Sequence, residues 1–135
     1  MAQSIAHISL VVLDYDEAIR FYTTKLNFTL IQDTKLSDTK RWVIIAPPGS
    51  KGCNLLLAQA SNDEQKTRIG NQTGERVFLF LHTDNFKEDY QNLVDKGVSI
   101  IREQVTEAWG TVAVFADLYG NLWDLIEPSE KSISR

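Results

Sequence analysis

The sequence predicts an α+β fold of two tandem βαβββ modules. Three observations carry that expectation. The order strand, helix, three strands occurs twice in 135 residues. The phrases "VVLDYDEA" and "LHTDNFKE" occupy the same strand-to-helix junction in each copy. Between the copies lies a polar segment without apolar periodicity, over residues 60–75.

Taken in order, residues 5–13 are rich in β-branched side chains and read as a strand half or wholly buried. In the helix that follows, Asp14 and Glu17 form a capping box, and Tyr15, Ala18, Tyr22 and Leu26 fall on one stripe. Asn27 takes the left-handed position at its end. Strands follow over residues 28–34, 41–46 and 54–59, divided by a polar turn and by "PPGSKG", which regular structure cannot accommodate. The second module opens with a strand over residues 76–83. Its helix has Asp84 as N-cap, a stripe of Phe86, Tyr90, Leu93 and Val94, and Gly97 as its stop. Three more strands cover residues 98–104, 111–116 and 121–127. Module one thus spans about 5–59, a linker or short helix and turn 60–75, module two 76–128, and a polar tail 129–135. A ferredoxin-like chain would interleave its elements as βαββαβ, which this one does not.

With 43% hydrophobic and 24% charged residues, the chain is long enough to bury roughly two thirds of the surface its unfolded form exposes. No window approaches the ~18 apolar residues of a membrane span, and the N-terminus lacks signal-peptide features, so a cytoplasmic protein is expected. A net charge of −4, with 14 scattered Lys and Arg, argues against a nucleic-acid partner. The single cysteine, Cys53, excludes an internal disulfide and any multi-cysteine metal site.

An early strand histidine, His7, precedes "D-x-D-x-A-x-x-F-Y" (Asp14, Asp16, Ala18, Phe21, Tyr22) and "L-x-F" (Leu26, Phe28). The chain closes on "D-x-x-G-N-x-W-D-L-x-E" (Asp117, Gly120, Asn121, Trp123, Asp124, Leu125, Glu127). Together these resemble the vicinal oxygen chelate superfamily of glyoxalases, bleomycin-resistance proteins and extradiol dioxygenases, over roughly residues 5–128. The resemblance implies that the modules form a curved mixed sheet around a concave cavity. It further implies a divalent metal (Zn, Ni, Mn or Fe) held by residues of the first and last strand of each module, and a homodimer. The matching metal positions are His7, Gln59 and Glu127, the last two aligned seven residues after Gly52 and Gly120. On this alignment Glu127 faces the concavity. The fourth position falls on Phe78, or on Val77 if the register slips by one, and neither can ligate a metal. His82 shares the face of Phe78 and Phe80 but lies four residues beyond Phe78, roughly 13 Å along the strand.

Two functions from different classes compete. In the first, a divalent metal on His7, Glu127 and Gln59 acts as a Lewis acid in a lyase or isomerase working on a small oxygenated metabolite, with Glu127 and His82 as catalytic groups. Extradiol dioxygenation is disfavoured because Phe78 stands where a second histidine is required. In the second, the chain is a metal-free protein that sequesters a flat small molecule, which Trp42, Phe78, Phe80 and Trp123 line and Arg41 clamps through an anionic group.

Overall fold

The computed structural model describes residues 1–129. The chain divides into two compact units, Met1–Gln72 and Thr73–Arg135, the second described as far as Ser129; the predicted polar tail lies outside the described residues from position 130 onward.

The first unit contains β1 (His7–Val12), α1 (Tyr15–Thr24), β2 (Thr29–Lys35), β3 (Arg41–Ala46), β4 (Asn54–Gln59) and a one-turn helix, α2 (Asp63–Lys66), in the segment read as a linker. Its sheet has the order β1-β4-β3-β2, with β1 parallel to β4 and the other pairs antiparallel. The second unit repeats the plan with β5 (Val77–His82), α3 (Phe86–Asp95), β6 (Ser99–Glu107), β7 (Gly110–Ala116) and β8 (Leu122–Pro128), in the order β5-β8-β7-β6. Two tandem βαβββ modules are therefore present. In each, a single helix crosses over between two strands of one sheet, and those strands frame it.

Local chemistry sets the helix ends. Asp14 is extended (φ −146°) and its carboxylate accepts the Glu17 amide at 2.8 Å, while Tyr15, Ala18 and Tyr22 pack inward. Asn27 takes φ 60°, and the Phe28 amide turns back to the Tyr22 carbonyl at 2.9 Å. In α3 the cap is Asn85, not Asp84. The Thr83 hydroxyl accepts the Asn85 amide at 3.0 Å, and the Asn85 side chain accepts the Glu88 amide and donates to the Glu88 carboxylate at 2.9 Å. Of the predicted stripe, Phe86 and Leu93 are buried, whereas Val94 is 47% exposed. Gly97, at φ 73°, ends the helix as expected.

Strand alternation divides each sheet into a helix side and an opposite side. In the first unit Leu10, Val12, Val43, Ile45, Leu55 and Leu57 lie on the α1 side, all buried. Tyr22 packs between Phe21 and Phe28, with ring centroids 5.4 and 5.3 Å away. In the second, Ala113, Phe115, Trp123 and Leu125 fill the α3 side, where the Trp123 indole stacks on Phe115 (5.8 Å, 16°) and meets Phe78 edge-on (6.5 Å, 89°). Edge strand β1 is finished by Gln72, whose side-chain amide accepts the Val11 N–H at 2.9 Å and donates to the Ser9 carbonyl at 2.6 Å, as a further strand would.

The "D-x-x-G-N" stretch proves to be turn architecture. Buried Asp117 accepts from the amides of Tyr119, Gly120 and Asn121 and from the Asn121 side chain, at 2.9–3.0 Å, and so fixes the β7–β8 connection.

Candidate ligand-binding face

The sheets' helix sides hold more of the predicted site residues than expected. Gln59 and Glu127 occupy equivalent places at the ends of β4 and β8, and both turn toward the helix of their own unit. The Glu127 carboxylate accepts the amide of Phe86, the first residue of α3, at 2.7 Å; the Gln59 carbonyl oxygen accepts the amide of Tyr15, the first residue of α1, at 3.4 Å. Each supplies an acceptor that the first turn of a helix otherwise lacks, and for Glu127 the helix dipole adds to the attraction. The alignment singles Glu127 out as a residue of the concavity; what its carboxylate does here is accept at the start of α3. Counting inward from Trp123 and Leu125, which are core, puts Glu127 on their side.

His7 lies on the other side of its sheet, where its ring meets Trp42 edge-on at 6.1 Å. It stands opposite Asn54, whereas Gln59 stands opposite Val12, five residues further along. That separates His7 and Gln59 by about 16 Å along the strands, on opposite faces. The geometry does not bring those two together, so the set His7, Gln59 and Glu127 does not fit one metal ion. Within either unit, among the described residues, no three His, Cys, Asp or Glu side chains gather as a metal site.

Arg41 is engaged within the unit. Its guanidinium binds both oxygens of Asp33, at 3.1 and 2.6 Å, reaches Asp16 at 2.9 Å and lies 5.1 Å from the centre of the Tyr15 ring. The hydrogen bonds from Arg41 hold the Asp33 carboxyl below the usual carboxylate range, and Asp33 in turn raises the guanidinium pKa above its ordinary value. Arg41, Tyr15 and Gln59 border a cleft of about 400 Å³ beside α1. A cleft of about 660 Å³ lies at the matching place beside α3, bordered by Asp84, Tyr90, Thr111 and Glu127.

Trp123, 2% exposed, is a core residue and not part of a ligand surface. Phe78 sits at a register shift between Val77 and Leu79 and is spent on the Trp123 contact. That irregularity separates it from Phe80 and His82, which pair with Asp124 and Ile126 and stand on the side away from α3. His82 is exposed, and Phe80 is 64% exposed.

The residue that sequence reasoning missed is Asp124. It interrupts the apolar run from Leu122 to Ile126, and strand alternation places it opposite the core pair Trp123 and Leu125. One rung runs across all four strands there. Phe80 on β5 pairs with Asp124 on β8, Asp124 with Val114 on β7, and Val114 with Arg102 on β6. Burial pushes the Asp124 carboxyl up from its ordinary range, an effect opposed by the charge of Arg102. The signal was available: a charge in the middle of a strand, with apolar residues on both sides.

The sequence matches the family model of the glyoxalase, bleomycin resistance protein and dioxygenase superfamily over residues 4–125. A protein of Shewanella frigidimarina (strain NCIMB 400), described only as uncharacterized, is 57% identical over 97% of this chain and 98% of its own length. Among solved structures, UcmS2 is 28% identical over 94% of this chain and 99% of its own, with a TM-score of 0.81. TnmS3, described as an antibiotic binding protein from Streptomyces sp. CB03234, is 27% identical over 95% and 98%, with a TM-score of 0.74. From its duplicated modules, its Asp117-centred turn and these matches, the chain belongs to the glyoxalase/bleomycin resistance protein/dioxygenase superfamily.

Proposed function

We propose that this protein binds and sequesters a small, flat, largely apolar molecule on a sheet face turned away from the helix of its unit, and returns it chemically unchanged. The observation that carries this reading is the division of labour between the two faces. Gln59, Glu127 and Arg41 serve the helix sides, while Trp42, His7, Phe80, His82 and Asp124 stand on the opposite sides without a comparable structural task. Exposed aromatic rings beside a few polar groups suit a planar ligand, because stacking supplies affinity and the polar groups supply orientation. Similarity to TnmS3 supports the same class of function. A homodimer accompanies this reading: edge strands β2 and β6 expose Leu30, Ile31, Ile101 and Val105, which a second copy would cover.

The test is equilibrium dialysis against a panel of planar aromatic antibiotics, followed by mass analysis of the recovered compound. Retention on the protein with unchanged mass supports sequestration. Loss of the compound to a product of different mass overturns it in favour of an enzyme.

A further inference from the structure

The internal duplication provides a control for which residues the fold itself requires. By strand register, the rung Phe80, Asp124, Val114 and Arg102 of the second unit corresponds to Ser9, Leu56, Ile44 and Gln32 of the first. Both rungs run across four strands of the same topology. The first is neutral and carries Leu where the second carries Asp; the second alone has an acid, a base and an exposed aromatic ring. A carboxylate in mid-strand among apolar neighbours costs desolvation, and the first unit forms the same sheet without one. Asp124 and Arg102 are therefore not requirements of the architecture.

Their spacing gives them a use. Asp124 and Arg102 lie two strands apart, about 10 Å between backbones, with the Val114 side chain between them and the exposed Phe80 ring next to Asp124. Resting on the binding reading above, we infer that this rung selects ligands with a flat apolar body that carries a hydroxyl or amine donor near one end and an anionic or carbonyl acceptor near the other. The donor meets the Asp124 carboxylate, the body lies over Val114 with Phe80 against its donor end, and the acceptor meets the Arg102 guanidinium. Reversal of the ligand would bring an acceptor against a carboxylate and leave the guanidinium facing a donor, so the rung also sets orientation.

Three fluorescent naphthalenes separate the contributions: 6-hydroxy-2-naphthoic acid carries both groups, 2-naphthoic acid lacks the donor, and 2-naphthol lacks the acid. The full chain is expected to bind the first at least about tenfold more tightly than either of the others. In Asp124→Leu, which installs the first unit's own residue, the ratio of affinities between hydroxynaphthoic and naphthoic acid should collapse toward one. In Arg102→Gln, likewise the first unit's residue, the ratio between hydroxynaphthoic acid and naphthol should collapse. Circular dichroism and a thermal melt establish that each variant is folded, and Asp124→Asn repeats the first comparison with an isosteric side chain. Equal binding of all three probes, ratios that survive the substitutions, or no binding of any probe at millimolar concentration would overturn the inference. Probe binding without discrimination would leave the sequestration reading standing, whereas that reading fails separately if dialysed compounds return altered.

Discussion

At the scale of single residues, Glu127, which the sequence singles out, serves the start of α3, whereas Asp124, which it does not, stands on the opposite side of β8. Glu127 accepts the Phe86 amide at the start of α3. Glu127→Ala should therefore lower stability by about 1 kcal/mol, as loss of a helix-capping acceptor does, while Glu127→Gln should retain most of it. Urea denaturation of the two variants checks this. Asp33 makes a pH-dependent contribution whose sign follows from its partner. Its folded-state pKa is depressed by Arg41, so the stability it adds is present above the unfolded carboxylate range and is lost as pH falls through the depressed value. Asp33→Asn should flatten the acid limb of the stability profile below about pH 4. Asp124 runs the other way. Its raised pKa means that its contribution is full below the unfolded value and is lost as pH rises through the folded one. Asp124→Leu is accordingly expected to raise the urea midpoint at neutral pH and to lose that advantage in acid, as expected of a residue kept for binding at the expense of stability.

At the scale of elements, the turns that join strands carry as much specification as the strands. Gly110 opens β7 at φ 153°, and a Cβ placed there would lie 2.5 Å from the Glu127 carbonyl oxygen and 3.0 Å from the Pro128 Cα. Both are backbone atoms of β8, so neither can rotate away. Gly110→Ala should destabilise by about 1–3 kcal/mol, with a drop in thermal midpoint of several degrees, whereas Gly52→Ala, whose nearest neighbour is the Ser50 hydroxyl at 3.8 Å, should be near neutral. Element order and most boundaries were legible in the sequence because apolar periodicity and the signals at Asp14, Asn27 and Gly97 are local. The α3 cap was missed by one residue because Asp84 and Asn85 both suit a cap, and the choice between them rests on the Thr83 hydroxyl. Facing was harder. An alignment of turn glycines picks out Glu127 but not its side; the side of a strand on which a residue falls is fixed by parity from the core, and Trp123 fixes that parity for β8. Strict alternation puts Phe78 on the side of Phe80, because a register shift in β5 leaves no mark on composition.

At the scale of the molecule, a duplicated fold has kept one structural solution in both units and allowed the faces away from the helices to diverge. The acceptors at the helix starts are shared in kind, Gln59 in one unit and Glu127 in the other. The rung through Asp124 is not shared, and difference between duplicates is where function is expected to reside. Native mass spectrometry of the protein incubated with planar aromatic antibiotics, with and without Mn²⁺, Ni²⁺ or Zn²⁺, tests this account most directly. It weighs ligand, metal and subunit number in one spectrum. The expected result is a dimer that carries an unmodified organic ligand without need of metal, with the adduct lost in the combined Phe80→Ser and Asp124→Leu variant and retained in Glu127→Gln. A ligand adduct that forms only with metal, vanishes in Glu127→Gln and survives the Phe80 and Asp124 substitutions would contradict it.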